Sequence, residues 1–366
     1  MKVIQYVSSI DQNSGGTAVY IKLLANQMKS AIDLTVLTGK SLNPIVLSDV
    51  KTVFIDFSLR RWFHIKKEFI AVLKMVKPDL VHINGIWEPQ NWLLQIIAQR
   101  MGIKVLLSPH GMLEPYILNR HPLKKKVAMM LYQNNAILKA NYLHATANSE
   151  MQQFKKLGYD LPTEVIPNGI DISEIKFQEK ISAKQDHKNI LFLSRIHPKK
   201  GIELLIEAVY KLKNKNLKVI IAGEGDQNYI DELIVLTKEK NLDNQIIFLG
   251  GVYGEDKWGL FNQADLFVLP TYSENFGLVV IEALAVGVPV ITTTGTPWNE
   301  LNIYNCGWWI ELSVQNLINA IEEAFLKSPQ ELKEMGNRGK KLVERKYDIK
   351  AVSNQTFELY HTIVQN

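Results

Sequence analysis

The sequence is poor in cysteine and has no long uninterrupted apolar run. Cys306 is the one cysteine in 366 residues, which excludes an internal disulfide and a cysteine-rich metal site. The apolar runs have the length of strands, and the opening segment MKVIQYVSSIDQNSGG lacks the sustained apolar core of a signal peptide. These absences predict a cytoplasmic protein, in which Cys306 is a small buried side chain rather than a nucleophile.

Motifs for metals and dinucleotides are missing as well. The eight histidines show no paired spacing such as H-E-x-x-H, and no D-x-D is present to chelate a metal against a diphosphate. Gly15 and Gly16 follow the first strand-like segment without completing G-x-G-x-x-G, which disfavours a nicotinamide dehydrogenase. We therefore expect no metal and no cofactor.

The composition is that of a globular protein with an uneven charge. Apolar residues make up 46% of the chain and charged residues 22%, and the length allows two domains, each with its own core. Residues 1–180 contain 22 Lys and Arg against 14 Asp and Glu, while residues 181–366 contain 20 against 23. The basic first half indicates an anionic surface as partner, or only a solvated face; no nucleic-acid partner is expected.

Strand-like and helix-like periods alternate along the chain, which predicts an α/β protein with two doubly wound domains. The predicted domains are residues 1–175 and 188–345, joined by a polar linker from about Ser173 to His187. Predicted strands are 1–8, 34–37, 52–55, 79–87, 103–107, 142–146, 190–194, 218–222, 246–249 and 264–269. Predicted helices are 18–28, 59–77, 123–139, 314–325, 330–345 and 349–364.

The segment Thr271–Thr293, TYSENFGLVVIEALAVGVPVITT, carries the main functional signal. It follows an apolar strand, so its polar start should lie at the carboxyl end of that strand, where ligands bind in open α/β sheets. From Phe276 the period becomes helical, which predicts a helix that begins near Gly277. The first amides of a helix lack partners within it, so this helix start can hold a phosphate or diphosphate.

Charged residues surround this predicted diphosphate site. The carboxylates of Glu274 and Glu282 would be repelled by a diphosphate, so they fit neutral hydroxyls at its two ends, which implies sugars on both sides. Arg195 and Lys200 follow the strand 190–194, and two cations there could neutralise a diphosphate leaving group. The alternative is that all four are ordinary solvated residues.

Three further turns at strand ends are candidates for ligand contacts. Gly223 and Gly225 allow close approach of the backbone, unless they only form a turn, and Val252 follows the next strand, beside the expected nucleotide base. His110 ends the strand 103–107, where the first domain should meet the ligand, although a lone histidine is more often structural.

Together these residues resemble the retaining GT-B glycosyltransferases of glycosyltransferase family 4. The resemblance rests on two glutamates separated by seven residues, with Phe-Gly after the first, and on the arginine, four residues, lysine pattern. It implies that the donor nucleotide sugar contacts Gly15, Gly16, His110, Arg195, Lys200, Gly223, Gly225, Val252, Glu274, Asn275, Phe276, Gly277, Leu278 and Glu282. His110 and Glu274 would contact the donor sugar, Glu282 the ribose, and Arg195, Lys200, Gly277 and Leu278 the diphosphate.

The resemblance also implies a GT-B fold, with two Rossmann-like domains facing across a cleft and a helix, 346–366, that returns to the first. The activity implied is transfer of a sugar from a UDP- or GDP-linked donor to a hydroxyl, with retention of configuration and without metal, in bacterial surface polysaccharide synthesis such as O-antigen. A sugar-nucleotide epimerase and a non-catalytic nucleotide-sugar-binding protein are the alternatives. The segment GTPWNEL departs from the glycine-rich, acidic segment usual in the family.

The acceptor implied is a sugar or a lipid-linked glycan. Two predicted helices are basic and amphipathic: 59–77, with Arg60, Arg61, Lys66 and Lys67, and 123–139, headed by Lys124, Lys125 and Lys126. Such helices suit the anionic inner face of the cell membrane, and they equally suit surface helices that bury their aromatic residues.

Overall fold

The chain folds into two compact units. The computed structural model describes residues 1–12, 14–58, 61–175, 187–213 and 216–366. The first unit comprises Met1–Gly169 with Ile349–Asn366, and the second comprises Ile170–Asp348. Most of the predicted linker lies outside the described residues, as does Arg60. None of the described helices combines the length and apolar character needed to cross a membrane.

The first unit is built on a seven-stranded parallel sheet with the order β3-β2-β1-β4-β5-β6-β7. Its strands are β1 (Lys2–Val7), β2 (Asp33–Gly39), β3 (Lys51–Ile55), β4 (Leu80–Asn84), β5 (Lys104–Ser108), β6 (Tyr142–Ala145) and β7 (Thr163–Val165). Its helices are α1 (Gly16–Met28), α2 (Trp62–Val76), α3 (Pro89–Arg100), α4 (Pro115–Asn119), α5 (Pro122–Ala128), α6 (Asn134–Lys139), α7 (Asn148–Lys156) and, from the end of the chain, α15 (Ile349–Gln365).

Helices cover both faces of this sheet, as its almost continuously apolar strands require. Ile4 and Tyr6 of β1 pack in a cluster with residues of α2 and α3. Val3 and Val7, whose side chains point to the opposite face, pack in a second cluster with residues of α1 and α15. The helix from the end of the chain is therefore part of the core of the first unit.

The predicted helix 123–139 differs from the structure in one respect. A π-helical turn, Met129–Gln133, separates α5 from α6, so the helical period is widened in the middle of the segment. The sequence patterns also predict none of β7, α3 and the last strand of the second unit. These elements are short or lack a clear period, and their positions depend on neighbouring elements.

The second unit is built on a six-stranded parallel sheet with the order β10-β9-β8-β11-β12-β13. Its strands are β8 (Lys188–Leu193), β9 (Leu217–Ala222), β10 (Ile246–Gly250), β11 (Leu266–Leu269), β12 (Val290–Thr293) and β13 (Gly307–Ile310). Its helices are α8 (Ile202–Lys211), α9 (Gln227–Glu239), α10 (Gly254–Gln263), α11 (Leu278–Ala285), α12 (Glu300–Ile303), α13 (Val314–Leu326) and α14 (Pro329–Lys346). The prediction of two α/β domains with doubly wound parallel sheets is confirmed.

Candidate functional site

The predicted diphosphate site lies at the point where the strand order of the second unit reverses. β8 and β11 are neighbours there, although β9 and β10 separate them in the sequence. Arg195 follows β8, and the segment Thr271–Glu274 follows β11, so both lie at the carboxyl edge of the sheet. Ligands of open α/β sheets bind at such a switch point.

Lys200 and Glu274 form a buried ion pair at this edge. Lys200 is 8% exposed, and its Nζ donates a hydrogen bond to Oε1 of Glu274. Burial lowers the pKa of Lys200, the attraction of Glu274 opposes that shift, and the nearby positive charges of Lys199 and Arg195 reinforce it. The predicted cations are therefore brought together, with Arg195 exposed and Lys200 buried.

A glycine fixes the backbone that carries Lys200. A 3₁₀ turn, Pro198–Lys200, ends at Gly201, which has φ 64°. A Cβ at Gly201 would lie 2.2 Å from the carbonyl oxygen of Pro270, at the end of β11. Only glycine permits this close approach, which holds the lysine turn against the strand that precedes Glu274.

The loop after β11 is held on both sides by the backbone. The amide of Tyr272 donates to the carbonyl of Lys199 at 2.9 Å, and the amide of Glu274 donates to the carbonyl of Gly295 at 2.8 Å. A Cβ at Gly295 would lie 2.3 Å from the carbonyl oxygen of Tyr272. Although GTPWNEL departs from the family pattern, its first glycine is required for the position of Glu274.

Trp298, which the sequence analysis did not assign, anchors the same loop. Its side chain is 1% exposed, and its Nε1 donates to the carbonyl of Phe276 at 2.5 Å. Its ring lies 5.2 Å from that of Phe276 and 5.2 Å from that of Tyr347. The segment from Glu274 to Gly277 is therefore held by an aromatic cluster. In the sequence Trp298 stands out only as part of the segment GTPWNEL.

Gly277 marks the start of α11, as predicted. It has φ 80°, and no side chain caps the helix. The amide of Val280 donates to the carbonyl of Gly277 at 2.9 Å, whereas the amides of Gly277 and Leu278 before it have no acceptor within the helix. Glu282, inside the helix, accepts a hydrogen bond at its Oε1 from Nζ of Lys257, 2.9 Å away. Lys257 comes from α10, and the sequence analysis did not identify it.

The structure gives Gly223 and Gly225 a role in loop packing. Their Cβ atoms would lie 1.8 Å from the carbonyl oxygen of Ser194 and 2.0 Å from that of Ile196. The loop that carries Arg195 therefore rests on the loop after β9. Val252 lines a surface cavity of about 740 Å³ with Leu249, Gly251 and Tyr253. Contact of these glycines and of Val252 with a nucleotide stays a prediction.

The predicted residues of the first unit lie at the carboxyl edge of its own sheet. Gly15, with φ 76°, precedes α1, and Gly16 is the first residue of that helix. A Cβ at Gly15 would meet no atom within 4 Å, so its conformation rather than crowding favours glycine there. His110 follows β5 and has φ 53°, an unusual conformation for a residue with a side chain.

A hydrogen bond to Asn84 determines which nitrogen of His110 carries the proton. The amide nitrogen of Asn84 donates to Oε1 of Gln5 at 2.7 Å and to the carbonyl of Tyr6 at 3.1 Å. Oδ1 of Asn84 therefore accepts from Nε2 of His110, 2.9 Å away, which leaves a lone pair on Nδ1. Loss of hydration lowers the pKa of His110 to about 3, and His144 adds to the shift.

Two more histidines form a buried hydrogen-bonded chain behind this site. His144 donates from Nε2 to the carbonyl of Ile166 at 2.8 Å, so its Nδ1 accepts from the hydroxyl of Ser108 at 2.7 Å. Oγ of Ser108 then accepts from Nε2 of His82 at 2.6 Å, and Nδ1 of His82 accepts from the hydroxyl of Tyr360 at 2.7 Å. Every member is satisfied when both histidines are neutral.

Glu150 holds the backbone next to His110. Its carboxylate accepts hydrogen bonds from the amide of Gly111 at 2.5 Å and from the amide of Thr146 at 2.8 Å. Burial raises the pKa of Glu150 to about 7, against the effect of these hydrogen bonds. The sequence analysis did not assign Glu150, because its partners come from two other segments.

Family models match most of the chain. Residues 173–342 match the model described as "Glycosyl transferases group 1", and residues 14–174 match the model of "Glycosyltransferase Family 4". An uncharacterized glycosyltransferase of Methanocaldococcus jannaschii is 32% identical over 210 residues, which is 54% of this chain and 53% of the relative. The chain thus spans about half the length of that relative. Alpha-monoglucosyldiacylglycerol synthase of Streptococcus pneumoniae is 24% identical, with 90% of this chain and 79% of the relative covered.

Two solved structures share the fold of both units. Sucrose-phosphate synthase from Thermosynechococcus elongatus superposes with a TM-score of 0.82 and 20% identity, and the match covers 100% of this chain and 99% of that one. HepE of Anabaena, crystallised with UDP-glucose, superposes with a TM-score of 0.79 and 19% identity over 99% and 100% of the two chains. At these identities the likeness shows the fold.

Proposed function

Because the chain is a GT-B protein of the glycosyltransferase group 1 and family 4 type, we propose that it transfers a sugar from a nucleotide diphosphate sugar to an acceptor hydroxyl. The observation that carries the proposal is the convergence of Arg195, Lys200, Glu274 and the start of α11 at one switch point. A diphosphate needs the cations and the free amides, and a sugar hydroxyl needs the carboxylate.

The proposed chemistry is departure of the diphosphate with retention of configuration at the sugar. Arg195, Lys200 and the amides of Gly277 and Leu278 stabilise the negative charge that develops on the leaving group. A diphosphate oxygen takes the proton of the attacking hydroxyl on the same face, so no protein carboxylate has to act as general base. No step of the proposed mechanism requires a metal.

His110 and Glu274 have the proposed role of orienting the donor sugar. The lone pair on Nδ1 of His110 can accept a hydrogen bond from a hydroxyl, because Nε2 is committed to Asn84. Glu274 is held in position by the ion pair with Lys200 and by the hydrogen bond that its backbone amide donates to the carbonyl of Gly295. Glu282, whose Oε1 is bound to Lys257, is proposed to accept a hydrogen bond from the ribose.

A ligand screen followed by product analysis tests this proposal. UDP-, GDP-, ADP- and CMP-linked sugars are added to the full chain, and the shift of the melting temperature is measured. We expect at least one UDP- or GDP-linked sugar to raise it and to be hydrolysed slowly without acceptor. Absence of stabilisation by every nucleotide sugar would refute the proposal. Conversion into an epimer without acceptor would instead support the epimerase alternative.

We further propose that the acceptor is a lipid-linked glycan at an anionic membrane, in bacterial surface polysaccharide synthesis. The segment Pro122–Lys139 supports this, because it exposes large apolar side chains beside exposed lysines. Leu123 and Met130 are both 79% exposed. Lys124 and Lys126 are exposed as well, whereas Nζ of Lys125 donates to the carbonyl of Arg120 at 2.6 Å. Exposed apolar and basic side chains on one helical segment suit a membrane interface.

A further inference from the structure

The first unit has a strand-order reversal of its own. β1 and β4 are neighbours, although β2 and β3 separate them in the sequence. Ser8 follows β1 directly, and the segment Gly85–Glu88 follows β4. The carboxyl ends of these two strands form the crevice in which a sheet of this type receives a ligand.

Glu88 is the carboxylate at this crevice. Its oxygens are hydrogen-bonded to the hydroxyl of Ser8 and to Nε2 of Gln90, the latter at 3.2 Å. Its side chain is half-buried, and among the described residues no lysine or arginine forms an ion pair with it. Burial accordingly raises the pKa of Glu88. A half-buried carboxylate with neutral neighbours retains capacity to accept hydrogen bonds from a neutral donor.

Trp87, the preceding residue, is held in an unusual conformation. Its φ is 80°, an unfavourable conformation for a residue other than glycine. Oε1 of Gln133 accepts from the amide of Trp87 at 2.9 Å, the hydroxyl of Tyr132 donates to its carbonyl, and its Nε1 donates to the carbonyl of Met112 at 3.1 Å. These partners hold the strained backbone in place.

The partners of Trp87 come from a second unusual feature, the π-helical turn that includes Tyr132 and Gln133. π-helical turns cost stability and occur frequently at functional sites, as do strained backbone conformations. Here both features act on Trp87, whose backbone amide and carbonyl are bound by the turn, and Glu88 is the next residue. The indole remains partly exposed. Two independent deviations from ideal geometry therefore converge on Trp87 and Glu88.

We propose that Trp87 and Glu88 form the acceptor subsite, in which the carboxylate of Glu88 accepts a hydrogen bond from a hydroxyl of a neutral glycoside. The indole of Trp87 would contact the apolar C–H face of the same sugar ring, as aromatic side chains do with partly apolar ligands. A phosphate or carboxylate next to Glu88 is disfavoured, because Glu88 would repel it and no lysine or arginine among the described residues is paired with that carboxylate. The cation of the subsite lies at the other residue, where Nζ of Lys125 is 5.8 Å from the centre of the Trp87 ring. The inference rests on the proposed function, and Glu88 binds and positions the acceptor without exchanging a proton.

The test separates acceptor binding from donor binding. Transfer is assayed onto octyl glycosides of glucose, galactose, mannose and N-acetylglucosamine, with the nucleotide sugar identified by the ligand screen. Hydrolysis of the same donor without glycoside is measured in parallel. For Glu88→Gln we expect KM for the glycoside to rise about tenfold or more, since a hydrogen bond to a charged acceptor is lost. Donor hydrolysis and the donor-induced rise in melting temperature should stay within about twofold of wild type.

Glu164→Gln is the matched control, because Glu164 is an exposed carboxylate on β7 of the same unit. Trp87→Leu, which removes the aromatic ring, provides a second variant with the same expected rise in KM. An unchanged KM in either Trp87→Leu or Glu88→Gln would overturn the acceptor subsite. So would absence of transfer by wild type to all four glycosides while donor hydrolysis persists. Failure of the wild-type protein to bind any nucleotide sugar would instead refute the proposed function.

Discussion

The buried histidines predict that acid destabilises the first unit by a definite amount. His82 is 0% exposed and His144 is 2% exposed. Burial lowers the pKa of His144 to about 4 and that of His82 well below its ordinary value. In the unfolded chain both side chains take up a proton near pH 6.5. Below that pH the unfolded state therefore binds more protons than the folded state, and the free energy of unfolding falls as pH falls.

The size of the effect follows from the number of protons. Each group contributes about 1.4 kcal/mol per pH unit, and His110, whose pKa is lowered to about 3, behaves in the same way, so the three histidines together contribute about 4.1 kcal/mol per unit. Glu150 opposes them, because its folded pKa of about 7 lies above the ordinary value of 4.5. Between pH 7 and 4.5 it gives stability as pH falls, again about 1.4 kcal/mol per unit. We expect a net loss of about 2.7 kcal/mol from pH 6 to pH 5.

Hydrogen exchange at the amides of β4 and β5 measures this loss within the first unit alone. Opening free energies are obtained at pH 6, 5.5 and 5 after correction for intrinsic exchange rates. In Glu150→Gln the opposing group is gone, so the loss should rise to about 4.1 kcal/mol per pH unit. Glu164→Gln should behave like wild type. Equal losses in wild type and Glu150→Gln, or greater stability at pH 5 than at pH 6, would refute the reasoning.

Three further predictions concern the proposed function. Arg195→Ala should raise the barrier to transfer by about 2 to 4 kcal/mol, since one preorganised contact to the leaving group is lost; turnover close to wild type would contradict this, and Lys218→Ala on β9 is the control. Activity should survive excess EDTA, and loss that added Mg²⁺ or Mn²⁺ reverses would contradict the proposed mechanism. Replacement of Lys124 and Lys126 by glutamine should weaken co-sedimentation with phosphatidylglycerol vesicles about 30-fold, at about 1 kcal/mol per charge. The same changes at Lys218 and Lys238 should have no effect, and equal binding to neutral vesicles would favour a soluble acceptor.

The sequence was informative where a local pattern determines position. The change of period at Phe276 located the start of α11, and the ends of the apolar runs located Arg195, Glu274 and His110 at the carboxyl edges of parallel strands. Such residues can be found from one sequence, because the direction of a parallel strand determines which edge its last residue occupies.

The partners of those residues could not be found in this way. Lys200 was assigned to the diphosphate from the sequence, but its burial could not be predicted, because that depends on the contact of Gly201 with Pro270, 69 residues further along the sequence. Asn84 reaches His110 from a neighbouring strand, and Glu150 reaches Gly111 from a helix. Hydrogen bonds between remote segments produce no periodic pattern in the sequence. The π-helical turn was missed for the same reason, because the contacts that hold it lie elsewhere in the fold.

Helix α15 has a consequence for how the protein is made. It supplies Tyr360 to the buried hydrogen-bonded chain and covers one face of the first sheet, yet the whole second unit precedes it in the sequence. At about 5 to 20 residues per second, synthesis of residues 170–348 takes roughly 10 to 40 s. Throughout that interval the first unit is outside the ribosome with one apolar face covered by α1 but not by α15, and His82 lacks its hydrogen bond from Tyr360. We therefore expect the nascent chain to bind chaperones until α15 emerges, and ribosome-bound chains that stop before residue 349 should bind them far longer than chains that extend through residue 366.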